Sequence, residues 1–166
     1  MSRTAVLFAL FLLASGGYFW QKYRTSPYAP DFEMRTPDGR RVVRDDYYGQ
    51  VIVLDFWASW CPPCRVSIPA MDRLYDRFRD RGVRVYGVQV RDDVDPVAFL
   101  ERHGANYPSL VGNADVERDY GVNAVPTIVV IGADGRVIHR SQGWSSGTEA
   151  RLERVLNDHL AQVGID

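Results

Sequence analysis

Cysteine is nearly missing from this chain: Cys61 and Cys64 are the only two in 166 residues. Two thiols cannot build a disulfide scaffold. A bridge across so short a loop would also constrain the unfolded chain only weakly. Histidine is scarce too, with His103, His139 and His159 alone. A structural zinc site needs about four ligands, and no histidine lies near the cysteines in sequence. His103 and His159 read as solvated residues at or near helix ends, His139 as an exposed strand position. Excess charge is absent as well: 20 Lys and Arg balance 21 Asp and Glu, for a net charge of −1. The basic residues are spread out, so nothing points to nucleic acid or an acidic substrate. No repeat or low-complexity tract is present. A hydrophobic fraction of 46% is ordinary for a globular protein, and one domain is expected at this length.

Charge is also missing from Thr4 to Gln21, "TAVLFALFLLASGGYFWQ", with Arg3 before it and Lys22 and Arg24 after it. The strongly apolar part is as short as a signal-peptide core, but the whole uncharged run just reaches bilayer-spanning length. Ala14-Ser15-Gly16 has the small residues of a cleavage site. Tyr18, Phe19 and Trp20 suit a membrane interface instead. The expectation is a retained signal-anchor helix over residues 1–21, a tether over 22–30 and a folded domain over 31–166. The alternative is a cleaved signal and a soluble periplasmic protein. No cysteine follows the apolar run, so lipid attachment there is excluded. The ten residues from Gln21 to Pro30 span at most ~35 Å, which would keep the active face near the membrane.

From Asp31 onward, strand and helix signals alternate. "GRRVVRDDYYG" reads as strand and turn. Val51 to Phe56 is nearly continuous apolar, as in a central strand buried on both faces, and Asp55 interrupts it. In "CPPCRVSIPAMDRLYDRFRDRG", Ile68, Met71, Leu74, Tyr75 and Phe78 share one helical face. Gly82 ends that helix, and Pro69 should kink it. Val83 to Val90 is a second buried strand. Asp95-Pro96 caps a short helix, Tyr107 to Val111 is a short strand, and Asn113 caps another helix. Thr127 to Ile131 and Arg136 to Ser141 form a hairpin around "GADG". Ser146 and Glu149 have capping-box spacing before a last helix. This order implies an α/β domain with a mixed sheet flanked by helices.

The stretch "WASWCPPCR" therefore places both cysteines between a buried strand and a helix start. A structural staple, half a metal site and a redox pair remain the three readings. The redox reading fits position as well as spacing. Cys61 falls at the N-cap and Cys64 at the third helical position, where unpaired N–H groups and the helix dipole favour a thiolate.

"VLDFWASWCPPC" resembles the active site of the thioredoxin superfamily. "APDFEMRTPDGR" and "GVNAVPTIVVIGADGRVIHRSQG" resemble two further signatures of its membrane-tethered TlpA/ResA-like branch. The resemblance implies a thioredoxin-like fold with a central αβ insertion, Asp95 to Val111, and an N-terminal membrane helix. It makes Cys61 the attacking thiolate, Cys64 the resolving thiol and Pro126 a cis-proline facing them. A cis bond there would turn the Val125 backbone toward the site, where it can pair with an extended client chain. Trp60 and Pro62 would contact the client beside the sulfur, whereas Trp57 reads as core. The strand residue usually Asn in this branch is Asp55 here, and the usual Glu after the second cysteine is Ser67. The carboxylate thus stands where thioredoxin itself has one. Buried behind Cys64, it would have a raised pKa and could accept the Cys64 proton.

The residues between the cysteines bear on direction. Pro62 and Pro63 have no N–H, so neither can donate to the Cys61 sulfur. A less stabilised thiolate means a more reducing couple. The expected function is an extracytoplasmic thiol:disulfide oxidoreductase on the cytoplasmic membrane that reduces protein disulfides. It needs no cofactor beyond the Cys61–Cys64 disulfide. By resemblance, a transmembrane thiol reductase would supply its electrons, and its clients would be apocytochromes c or copper-site assembly proteins. Two alternatives are a copper-binding chaperone, since paired thiolates can hold Cu(I), and a peroxiredoxin-like peroxidase. The latter places a Thr where this chain has Ala58.

Overall fold

The structure is a computed structural model that describes residues 26–164. The expected anchor, residues 1–21, and residues 22–25 of the tether lie outside the described residues. Among the described residues, no helix is long and apolar enough to cross a membrane.

One mixed sheet organises the domain. Its strands are β1 (Glu33–Arg35), β2 (Arg41–Val43), β3 (Val51–Trp57), β4 (Val83–Gln89), β5 (Ser109–Val111), β6 (Thr127–Ile131) and β7 (Val137–Gln142). Their order across the sheet is β2-β1-β5-β4-β3-β6-β7. β3, β4 and β5 run parallel. β6 lies antiparallel on β3, β7 on β6, and β1 on β5. The helices are α1 (Pro62–Phe78), α2 (Pro96–Arg102), α3 (Ala114–Asp119) and α4 (Thr148–Val163).

β3 is buried along its whole length, because side chains alternate between two cores. Val51, Val53 and Trp57 face a core built with α1, α2 and α4, to which Phe78, Phe99, Leu152 and Leu156 belong. Ile52, Leu54 and Phe56 face a second core with Phe32, Met34, Val116 and Tyr120. Asp55 falls on the first face, among the groups that carry both cysteines.

Several helix ends follow their sequence signals. The Asp95 carboxylate accepts from the N–H groups of Val97 and Ala98, 3.0 and 3.3 Å away. The Asn113 side chain accepts from the Val116 N–H, and Gly82 takes the left-handed φ of 74° that a non-glycine residue resists. Pro69 does not break α1. The Ser146–Glu149 capping box does not form: α4 starts from Gly147 with no side-chain cap. Glu149 instead pairs with Arg73 through two hydrogen bonds of 2.8 and 2.6 Å. Arg77–Glu153 and Arg81–Asn157 continue this ladder one helical turn at a time between α1 and α4. The strand β1 is three residues long, too short for an alternating pattern to show in the sequence.

The chain joins the sheet at the end opposite the cysteines. The Ala29 N–H donates to Gly135 O, the Val137 N–H donates to Pro27 O, and Tyr28 bridges to Arg136. These contacts sit on the β6–β7 turn. Thr127, at the other end of β6, pairs with Phe56 beside the cysteine loop. The length of β3, roughly 20 Å at ~3.3 Å per residue, separates the two ends. The described end of the expected tether, Pro27 to Ala29, therefore lies at the pole opposite the cysteines.

Phe78 is wholly buried between α1 and the sheet. Phe78→Ala should cost about 3–5 kcal/mol in urea unfolding of the protein, whereas Arg73→Ala, on an exposed ion pair, should move the midpoint little.

Candidate active site

The site is built where β3 hands over to α1. The chain leaves the sheet at Trp57, turns through Ala58–Trp60, and enters α1 at Pro62. Cys61 is the N-cap, with extended backbone, and its N–H donates to Ala58 O at 3.1 Å. Prolines at the first two helical positions suit a helix start, where the N–H is unpaired in any case. The cysteines form a disulfide with a Cα–Cα distance of 5.3 Å. The Cys61 Sγ accepts from the Cys64 N–H at 3.2 Å. That amide is the cap hydrogen bond of the helix, so the sulfur occupies the place of a capping oxygen. Cys64 is fully buried and Cys61 is 2% exposed, while Pro62 and Pro63 are open to solvent.

A connection after β4 holds this loop from the side. Trp60 is 54% exposed, yet its indole N–H donates to Arg91 O at 3.1 Å. The Asp92 carboxylate accepts from the Ser59 N–H, and Arg65 reaches back to Ser59 O at 2.9 Å. Burial pushes the Asp92 carboxyl up, but hydrogen bonds from Ser59, Val94 and Asp93 outweigh it and hold it below the usual range. Arg91 takes a left-handed φ of 54° and pairs with Glu117 at 2.9 Å. Sequence reading missed Arg91 and Asp92, because nothing local marks a loop that contacts another loop some thirty residues earlier.

Opposite lies the loop before β6. The Val125–Pro126 bond is cis. Pro126 is buried and Val125 half-buried, and the Pro126 carbonyl accepts from the Gly143 N–H at 2.8 Å. The register of Thr127 with Phe56 brings this loop to the cysteine end of the sheet. Cys61, Cys64, Trp60, Pro62, Val125 and Pro126 thus share one pole.

Asp55, on β3, is unexposed, with Gly87 and Ile128 as its neighbours across the sheet. Burial pushes its carboxyl up to about 7, against a hydrogen bond from Tyr107 that lowers it. The Tyr107 hydroxyl donates to Asp55 Oδ2 at 3.1 Å, and Oδ1 has no partner. Tyr107 is the residue that sequence reading left as a strand start. One signal could have found it: Gly87, in the middle of a buried strand, marks a close approach of another group.

Trp57 is core, stacked on Phe99 at 5.0 Å and 13°. The histidines take no part in the site. His103 ends α2 against Phe99. His139 is half-buried rather than exposed. His159 lies one turn before the end of α4 and is half-buried rather than solvated, its ring over Gly132 and its Nε2 accepting from the Ala133 N–H at 3.1 Å. Among the described residues, no group of three or more His, Cys, Asp and Glu could hold a metal ion. A surface hollow of about 520 Å³ lies between β1 and α3 and is lined by none of the site residues.

With this geometry in place, the comparisons with known proteins are specific. The family model described as the AhpC/TSA family matches residues 27–140. The chain belongs to that family. It is 34% identical over 145 residues to the thiol-disulfide oxidoreductase ResA of Geobacillus thermodenitrificans, covering 81% of this chain and 82% of that one. It is 30% identical over 134 residues to ResA of Bacillus subtilis, covering 78% and 72%. A Chlorobium tepidum structure designated a thiol:disulfide interchange protein DsbE superposes with a TM-score of 0.71 at 31% identity, covering 80% of this chain and 95% of that one. The fold is thioredoxin-like, and the protein is a thiol-disulfide oxidoreductase with Cys61 and Cys64 as its pair. A peroxidase would need a hydroxyl three residues before the attacking sulfur. Ala58 is buried there and offers only its carbonyl, which the Cys61 N–H occupies.

The raised Asp55 carboxyl makes stability pH-dependent. The folded protein binds this proton more tightly than the unfolded chain. The stability so contributed is complete below about pH 4 and is lost as pH rises toward about 7. Asp55→Asn should therefore stabilise the oxidised protein at pH 8 by on the order of 4 kcal/mol and change little at pH 4. Urea melts at the two pH values measure this difference directly.

Proposed function

We propose that the protein is a reductant of protein disulfides, held to the cytoplasmic membrane by its N-terminal helix with the catalytic domain on the extracytoplasmic side. The observation that carries this reading is the single N–H, from Cys64, on the Cys61 sulfur. Pro62 and Pro63, the residues best placed to add donors, have none. A thiolate with few donors is a poor sink for electrons, so the dithiol gives them up readily.

The reaction begins with the Cys61 thiolate attacking a client disulfide. A Cys61–client disulfide forms and one client thiolate leaves. Cys64 then loses its proton to the Asp55 carboxylate and attacks the Cys61 sulfur. The Cys61–Cys64 disulfide forms, and the second client sulfur leaves and is protonated. Two electrons pass to the client, and the chain ends in the oxidised state seen in the structure. Trp60 and Pro62 offer an apolar rim for the client, and the Val125 backbone can pair with it as an added strand. No cofactor enters this sequence.

The oxidised pair must be reduced again, and a transmembrane thiol reductase would do so. Apocytochromes c, whose haem-attachment cysteines must be reduced, or copper-site assembly proteins are the clients that resemblance suggests. Because the chain enters at the far pole, the disulfide would point away from the bilayer, toward soluble clients. A potential for the pair nearer about −270 mV than about −120 mV is expected from equilibration with a thiol buffer, together with reduction of insulin. A potential at the oxidising end would reverse the proposed direction.

A further inference from the structure

We infer that Tyr107 is the positioning residue for the Asp55 carboxyl, and that Gly87 is bare so that the Tyr107 ring can reach it. The inference rests on the reading of Asp55 as acceptor of the Cys64 proton, and it assigns the inserted α2–β5 segment a part in the active site.

Three observations support it. First, Tyr107 is 2% exposed and gives its hydroxyl to Asp55 Oδ2. An ionised carboxylate can only accept, and a phenol can donate. This bond fixes one oxygen and leaves Oδ1 as the one free to take a proton. Second, the ring lies against Gly87. A Cβ there would stand 2.8 Å from Tyr107 Cε2 and 2.9 Å from Trp57 Nε1, too close for any side chain. Third, the backbone on both sides of Tyr107 is pinned. The Asn106 N–H donates to Asp72 on α1 at 2.7 Å. The Gly87 N–H donates to Pro108 O at 2.9 Å, and Ser109 Oγ donates to Gly87 O at 3.2 Å. Gly87 therefore both makes room for the ring and grips the segment that carries it.

The groups around Asp55 that titrate are few. The β4–β5 connection supplies Tyr107, on which Asp72 of α1 acts; Cys64, also on α1, is disulfide-bonded in this state and does not titrate. β4 presents Gly87, β6 presents Ile128, and α4 adds Leu152 and Leu156 to the same core. None of these titrates. Tyr107 is thus the one hydrogen-bond donor that favours the ionised carboxyl. Without it, burial alone acts, and the carboxyl holds its proton to higher pH.

The test uses the full-length protein in detergent. The carbonyl band of protonated Asp55, identified by its loss in Asp55→Asn, is titrated by infrared spectroscopy in the oxidised state. Tyr107→Phe removes only the hydroxyl and should move the midpoint up by about one unit. Gly87→Ala keeps the hydroxyl but displaces the ring, and should move it in the same direction. Resolution of a Cys61 mixed disulfide at pH 7 should slow roughly five-fold in Tyr107→Phe, with the gap closing by about pH 9. An infrared midpoint unmoved in Tyr107→Phe overturns the role of Tyr107, and one unmoved in Gly87→Ala overturns that of Gly87. A resolution profile unchanged in Asp55→Asn overturns the proton-acceptor reading instead, whatever the infrared titration gives.

Discussion

An ionisable carboxyl with no solvent exposure, set in a strand buried on both faces, is the constraint around which this site is arranged. A charge there is expensive unless it is hydrogen-bonded or neutralised. The protein does a little of each. Burial drives Asp55 toward the neutral form, and one phenol draws it part of the way back. The balance leaves a group able to change protonation near neutrality, two residues before the end of the strand that leads to the cysteine loop. Gly87 in β4, the pinned Asn106–Ser109 segment and the packing of α1 on β3 all serve that arrangement.

The other half of the site depends on the first turn of α1. A helix start offers unpaired N–H groups, and here Cys61 caps them with sulfur. Two prolines follow, and they withhold the donors a neighbouring residue might have added. The same turn is held laterally by Arg91 and Asp92 through Trp60 and Ser59. The exposed indole is therefore presented in a fixed direction beside the reactive pair.

Much of this was legible in the sequence. A continuous apolar run broken only by Asp55 located the central strand and its odd residue. The strand–Cys-x-x-Cys–helix order located the N-cap sulfur, and "VPT" located the loop across from it. What escaped was whatever depends on tertiary placement. Tyr107 reads as an ordinary strand residue, because its role comes from a hydroxyl crossing a neighbouring strand. Asp92 reads as one more acidic residue in "RDDVD". Ser146 and Glu149 had capping spacing, but Glu149 found Arg73 across the helix pair, and the ion pair displaced the cap. The end of the sheet at which the chain enters could not be read locally either, since it follows from Pro27 and Ala29 pairing with a turn more than a hundred residues later.

The two poles give the fold a direction. The chain arrives at the β6–β7 turn and the cysteine pair sits at the opposite end; in the proposed reaction Cys61 meets the client and Cys64 gives its proton to Asp55. That division of labour between the sulfurs is tested most directly by trapping in the native envelope. Cys64→Ser should accumulate a mixed disulfide between Cys61 and its client, identifiable by mass spectrometry, and Cys61→Ser should accumulate none. Equal trapping by both variants, or trapping by Cys61→Ser alone, would contradict it.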